Sequence, residues 1–346
     1  MDYHKKYWYV VLKDREGRVE QRGTVNNTKK EFHQLLKPYQ EDKAVLEATR
    51  NCGLIYDCLE EILDDVILAH PLEVTAISEA RIKTDKISAD ILCELLCSNL
   101  LPEAYVANKE NRPSKNTLRQ RIFIVRVQTM VKNGIYTILD RHPEMLSLAP
   151  DVSDLFGALG MRWLRQAVPP SQYNRLLSSE PELLGIPKRK ISESNGIVKE
   201  LAKGGKRVKL LRSIPRLGPF ISVLVANEIN DISRFRDEKK LCAYAGLVPS
   251  TYASGGKVFH GSITRTVNKW LRCAFIAAVQ QAISCDTDLF AYYQQLKLKK
   301  GANAAKVATA SRLLAIVYRV LKQERLCEIR TRRAIRRLAP ATLITS

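Results

Sequence analysis

Apolar positions in the first third of the chain switch repeatedly between period two and a helical period. "YWYVVL" and "VEQRGTV" flank the turn-forming "DREGR"; "TKKEFHQLLKPY" has helical spacing and "KAVLEA" is strand-like; "CLEEILDD" is helical, "VILAH" extended and "ADILCELLCSNLL" helical again. A hairpin followed by βαβ units predicts an α/β domain over residues 1–112, with a ribonuclease-H-like layout that ends near Arg112 and Pro113. From about Lys115 to Lys209 the strand pattern stops. Segments such as "TLRQRIFIVRVQTMVKNGIYTIL", "LFGALGMRWLRQAV" and "SNGIVKELAKGGKRVKLL" predict amphipathic helices separated by Pro and Gly breaks, a helical connector over 113–205. A mostly helical region over 206–325 follows, interrupted by a polar, glycine-containing stretch at 249–262, and then a basic tail over 326–346. The expected class is α/β plus α.

Charge changes this picture more than length does. The 346 residues carry 56 Lys and Arg against 36 Asp and Glu, a net charge of +20, which favours a polyanionic partner. Nucleic acid is the expected one, because no apolar run approaches the ~20 residues that span a bilayer. The N-terminal "MDYHKKYWYVV" lacks a signal-peptide layout, so a cytoplasmic protein is expected. Basic residues crowd the end of the connector: Lys188, Arg189, Lys190, Lys199, Lys203, Lys206, Arg207, Lys209 and Arg212, opposed there by Glu193 and Glu200. They read either as a solvated helix face or as a polyanion surface. In the tail, Arg332, Arg333, Arg336 and Arg337 fall on one helical face. The eight cysteines show no paired CxxC spacing and read as reduced, buried thiols rather than a zinc site.

Three constellations could carry chemistry. Asp2, Glu47 at the end of "KAVLEA", and Asp85 with Asp90 in "KTDKISADIL" are carboxylates from strand ends and a helix start, which can converge on a hard cation or can simply lie on the surface. In "LLRSIPRLGPFISVLVANEI", two helices joined through Arg216 and Gly218 could present helix N-terminal amides to a phosphate. In "SGGK", Ser254 precedes Gly255, Gly256 and Lys257, with Arg265, Lys269 and Arg272 close by: glycines allow close backbone approach, and cations stabilise charge on a transferring phosphoryl group. A serine hydroxyl needs a base or metal to assist it; His260 is near in sequence, though a lone loop histidine is more often solvated.

Together "ARIKTDKISADIL", "LLP", "IPRLGP", "EINDISRFRDEKKLCAYAGLVP", "SGGK" and "GSITRTVNKWLR" resemble the DEDD transposases of insertion sequences, the family that includes the Piv DNA invertase and the bridge-RNA-guided recombinases; the likeness runs from Asp2 to about Gln323. The resemblance implies a RuvC-like N-terminal domain, a coiled-coil connector and a C-terminal transposase domain. It implies Mg²⁺ held by carboxylates, with Asp2, Glu47 and Asp85 as three of the four, and Ser254 as a nucleophile that forms a covalent phosphoserine with DNA. It also implies a bacterial, nucleoid-associated protein that works as a homodimer or homotetramer on element ends and target DNA, with a structured guide RNA in some members.

Three departures from the family pattern bear on activity. Asp2 follows Met1 directly where members carry an apolar strand, so the first strand is expected to be missing or nearly so and Asp2 to sit on a loose terminus. Ser88 stands where the fourth acid is expected, and Asp90, two residues on, lies about 200° away around a helix. Arg216 replaces the usual hairpin glycine. A recombinase is therefore weighed against a catalytically impaired element copy that only binds nucleic acid. A nuclease using metal alone would leave "SGGK" without a role.

Overall fold

A computed structural model describes the chain apart from residues 4–5, 15, 50–51, 79–83, 167–173, 255–256, 264–266 and 328–346; the side chains of 2–3, 174–182, 251–254, 257–260 and 262 also lie outside the described set. The basic tail falls in that set. Contacts divide the chain into two units, Met1–Arg112 and Pro113–Ser346.

The first unit is an α/β layer structure. Strands β1 (Asp2–Tyr3), β2 (Tyr7–Lys13) and β3 (Val19–Asn26) form an antiparallel sheet in the order β1-β2-β3, and β4 (Lys43–Glu47) pairs in parallel with β5 (Asp65–Ala69). Helix α1 (Lys29–Leu36), a 3-10 turn (Lys37–Tyr39), α2 (Cys52–Glu60), α3 (Pro71–Ser78) and α4 (Asp85–Cys97) complete it. Period two sorts the strand residues between two cores. Ala44, Leu46, Val66 and Leu68 pack with Trp8, Phe32 and Leu59, while Val45 and Ala69 pack with Val74, Leu92 and Leu95 of α3 and α4. Trp8 meets Phe32 edge-on at 5.1 Å and donates its indole N–H to Asn27 Oδ1 at 3.2 Å.

The terminus departs from expectation. Only two residues form β1, in register as Asp2 with Tyr9 and Tyr3 with Trp8, yet Met1 is buried and its nitrogen donates to Val45 O at 2.9 Å. This bond links the three-stranded sheet to β4, so the backbone at Asp2 is anchored rather than loose.

In the second unit, α5 (Asn111–Asp140) and α8 (Asn174–Lys203) are 30 residues each, about 45 Å long at 1.5 Å per residue. Leu118 and Ile122 near the start of α5 share a core with Val198 and Ala202 near the end of α8. Ile135 and Leu139 near the end of α5 share another with Leu184. The two helices therefore run antiparallel. Pro187 and Gly196 lie inside α8 and do not end it, contrary to the breaks expected there. Short helices α6 (Pro143–Leu146) and α7 (Ala158–Gln166) complete the connector. The main core then gathers α9 (Lys206–Arg212), α10 (Pro219–Ile229), α11 (Glu238–Tyr244), α12 (Lys269–Ile283), α13 (Thr287–Lys300) and α14 (Ala302–Gln323) around Leu211, Val223, Leu271, Phe275 and Leu314. The interruption at 249–262 is an antiparallel hairpin of β6 (Pro249–Ser254) and β7 (Lys257–Ile263), not a loop.

Candidate functional site

In the first unit Glu47 meets Ser88, the residue that stands where a fourth acid is expected, rather than a second carboxylate. Glu47 ends β4 on the same strand face as Val45, and so looks toward α3 and α4. With Val74, Thr75, Ser78, Ile87, Ser88, Ile91 and Leu92 it lines a cleft of about 30 Å³. Ser88, the residue in the fourth acid's place, therefore reaches the Glu47 cleft. Asp85 opens α4, one turn before Ser88; Thr84 caps that helix by accepting from Ile87 N at 3.2 Å. The Asp85 carboxylate accepts from the Tyr7 hydroxyl at 3.0 Å. Tyr7 is a partner that the sequence did not single out.

Asp90 points elsewhere. Its carboxylate lies 4.0 Å from Lys13 Nζ and 3.9 Å from Arg22 of the β2–β3 hairpin, while Lys13 also bonds Glu94 at 3.2 Å. Two residues along a helix from Ser88, its direction follows from helical geometry. The backbone of Asp2 is placed by β1; its side chain is outside the described set. Among the described residues no three His, Cys, Asp or Glu side chains gather as a metal site. The oxygen donors of Glu47, Asp85 and Ser88 are chemically suited to a hard cation such as Mg²⁺, and filling a coordination sphere needs donors beyond the Glu47–Ser88 cleft.

In the second unit Ser254 ends β6 and is the register partner of Lys257, with Thr251 opposite His260. Gly255, Gly256 and Arg265 lie outside the described residues, as do the side chains of Ser254, Lys257 and His260. The hairpin's stems meet at a polar cluster. Asn268 N donates to Tyr244 O at 2.9 Å and Asn268 Nδ2 donates to Tyr244 Oη at 3.2 Å. Asn268 Oδ1 accepts from Trp270 N and Leu271 N, both at 3.1 Å, and so caps α12. Its Nδ2 also donates to Glu228 Oε2 at 2.8 Å.

Glu228 is fully buried at the end of α10. Arg119 donates to both its oxygens, at 2.6 and 2.9 Å, and Lys115 Nζ lies 3.3 Å away. Burial pushes this carboxyl up, but Arg119, Lys115 and Asn268 outweigh it and hold it below the usual carboxylate range. The clue in the sequence was a lone acid within the apolar "PFISVLVANEI". Trp270 adjoins this cluster, with Arg119 and Arg126 each 5.6 Å from its ring centroid and Lys269 at 5.0 Å; Arg272 follows on α12.

The α9–α10 connection forms the expected hairpin of helices. Ile214 and Leu217 are buried, and Gly218 is the N-cap of α10 with no side-chain cap bond. Arg216 stands at φ +64°, the left-handed conformation in which glycine costs least. The glycine expected at this position from the resemblance would adopt that conformation without the cost borne by a residue with a Cβ. Exposed Arg216 donates from Nε to Cys285 Sγ at 3.1 Å, and that bond, with a second from Ser284, draws the Cys285 thiol below its ordinary value. Lys188, Arg189, Lys190, Lys206 and Arg207 are exposed. Arg189 and Lys190 approach Glu193 at 3.9 and 2.8 Å, Lys203 bonds Glu200 at 2.8 Å, and Lys206 pairs with Glu324. Part of that basic run is thus a self-neutralised helix face.

The sequence that builds these two units matches transposase families. A family described as "Transposase", the DEDD type of IS110, matches residues 1–143, and one described as "Transposase IS116/IS110/IS902 family" matches 208–294. The chain thus carries both transposase domains of the IS110/IS116/IS902 family. It is 22% identical over 246 residues to a "Probable family 20 transposase" of Pseudomonas aeruginosa, covering 70% of this chain and 73% of that protein. It is 28% identical over 131 residues to the "Transposase for insertion sequence element IS1111A" of Coxiella burnetii, covering 37% of this chain and 36% of that one. An "Insertion element IS116 uncharacterized 44.8 kDa protein" of Streptomyces clavuligerus shares 24% over 149 residues, 42% of this chain and 36% of its own. No helix among the described residues is long and apolar enough to cross a membrane.

Proposed function

We propose that the protein is the transposase of an insertion sequence, a Mg²⁺-dependent DNA recombinase whose nucleophile is Ser254. The observation that carries this reading is the position of Ser254 at the tip of a β-hairpin, paired with Lys257 and followed by the cations of α12, within the stretch that matches the family. In the proposed reaction the Ser254 hydroxyl loses its proton as its oxygen bonds to a DNA phosphorus; one phosphodiester P–O bond breaks and the departing DNA oxygen takes up a proton. A DNA hydroxyl then displaces serine and the phosphodiester is restored, so no external energy source is consumed. Lys257, Lys269 and Arg272 would stabilise charge on the phosphoryl oxygens.

The first unit is proposed to be RuvC-like: the sheets β1-β2-β3 and β4-β5 adjoin where Met1 N donates to Val45 O of β4, and Asp2, Glu47 and Asp85 fall at strand ends and a helix start, where such a domain would hold its metal. When bound there, Mg²⁺ would supply Lewis-acid stabilisation of phosphate oxygens. Asp90 was put forward with them, but its ion pairs with Lys13 and Arg22 support a structural role. The partners are element ends and target DNA, held by the α9–α10 hairpin through Gly218, Arg216 and the exposed Lys206 and Arg207, in a homodimer or homotetramer. A structured guide RNA fits the same electrostatics.

One observation favours a second reading, an impaired copy that only binds nucleic acid: a serine, which cannot act as a carboxylate, occupies the Glu47 cleft. Excision in bacterial cells separates the two. With the gene in its native flanking DNA, amplification across the circular junction should give product for the wild type and none for Ser254→Ala; absence of product from both favours the binding-only reading.

A further inference from the structure

The segment bearing Ser254 runs from Ala245 to Val267, and Asn268 bridges its two ends through one backbone and one side-chain hydrogen bond to Tyr244. Asn268 reaches back to Tyr244 twice, through its own N–H to the carbonyl and through Nδ2 to the hydroxyl. The same Nδ2 donates to the buried Glu228, while Oδ1 caps α12. All of the Asn268 amide's principal bonding capacity is committed, so its orientation is fixed: NH₂ toward Glu228 and Tyr244, oxygen toward the α12 amides. Glu228 is in turn fixed by the Arg119 fork and by Lys115. The chain of contacts therefore runs from α5 through α10 to the point where both stems of the hairpin leave the helical core.

We propose that Asn268, oriented by Glu228 and Arg119, is a positioning residue that clamps the base of the Ser254 hairpin and sets where its tip stands. The proposal rests on the reading of Ser254 as nucleophile. A hairpin spanning Pro249 to Ile263 and carried on two stems amplifies small changes at its base, and phosphoryl transfer tolerates little displacement of the attacking atom. The clamp is distinct from the helix cap, although one residue does both: the cap needs only an oxygen acceptor, whereas the clamp needs the NH₂ group.

That difference supplies the test. Asn268→Ser keeps a good N-cap acceptor and leaves the Glu228–Arg119–Lys115 ion pairs intact, but removes the donor to Glu228 and Tyr244. Tyr244→Phe removes the hydroxyl and keeps the carbonyl. In the full-length protein, amide hydrogen exchange over residues 245–267 is measured beside the yield of covalent protein–DNA adduct on nicked duplex carrying the element junction. Loss of the clamp hydrogen bonds predicts about tenfold faster exchange in that segment and about tenfold less adduct for Asn268→Ser, with DNA affinity and melting temperature near wild type. Tyr244→Phe should move both in the same direction by less.

Exchange and adduct yield that both stay within about twofold of wild type would make Asn268 only a cap and overturn the proposal. Faster exchange with unchanged adduct would overturn the positioning role as well. An adduct that persists in Ser254→Ala, or is absent from the wild type, defeats the nucleophile reading instead; the exchange arm then still decides whether the clamp holds the hairpin.

Discussion

Arg216 adopts φ +64° at the tip of the α9–α10 hairpin, a conformation that costs an L-residue with a Cβ about 1–2 kcal/mol. Arg216→Gly is therefore expected to stabilise the protein by about 0.5–1 kcal/mol in denaturant unfolding, after allowing for the greater freedom of glycine in the unfolded chain. The same change removes the donor that lowers the Cys285 thiol, so alkylation of Cys285 at neutral pH should slow. If Arg216 also contacts phosphate, the salt slope of DNA binding should fall by about 1. Glu228 behaves oppositely, because its worth lies in charge. Glu228→Gln leaves Arg119 and Lys115 beside a neutral group and should cost about 3–5 kcal/mol. A carboxyl held below its ordinary value contributes stability that is complete above its unfolded value of 4.5 and is lost as pH falls through the folded value. The wild type and Glu228→Gln should thus converge in stability below that pH, a result read from urea midpoints across an acid series.

At the scale of elements, the strands and helices of the first unit were legible because its apolar spacing changes period cleanly: "KAVLEA" and "VILAH" became the parallel β4–β5 pair. The β6–β7 hairpin was not legible. "PSTYASGGKVFHGSI" alternates polar and apolar residues only weakly, so its pattern does not reveal the antiparallel pairing that runs from Pro249 with Ile263 to Ser254 with Lys257. Nor could spacing show that α8 would continue through Pro187, since burial against a partner helix overrides local propensity. For the acids, helical geometry correctly separated position 90 from position 88, but only the fold put Ser88 beside Glu47. That neighbourhood yields a prediction. Ser88→Asp adds a second carboxylate to the cleft, which should lower the melting temperature in chelator through like-charge repulsion. Mg²⁺ at about 100 times its Kd should restore about 2.7 kcal/mol, more than it adds to the wild type. Equal response of both proteins to Mg²⁺ would place the metal elsewhere.

For the whole molecule, some of the 56 Lys and Arg are engaged internally: Lys115 and Arg119 serve Glu228, and Lys190, Lys203 and Lys206 face acids, while the net charge stays +20. The remaining cations should still dominate DNA affinity, which is expected to fall about 10³–10⁵-fold between 50 and 200 mM salt if 6–10 phosphates are contacted. Electrostatic grip of this kind serves a binding protein and a recombinase alike, so affinity does not distinguish them. Covalency does. The most direct measurement is mass spectrometry of the protein after incubation with Mg²⁺ and nicked junction DNA that traps the first intermediate. The account predicts a nucleotide-bearing peptide modified at Ser254, absent from Ser254→Ala; cleaved DNA with unmodified Ser254 would contradict it.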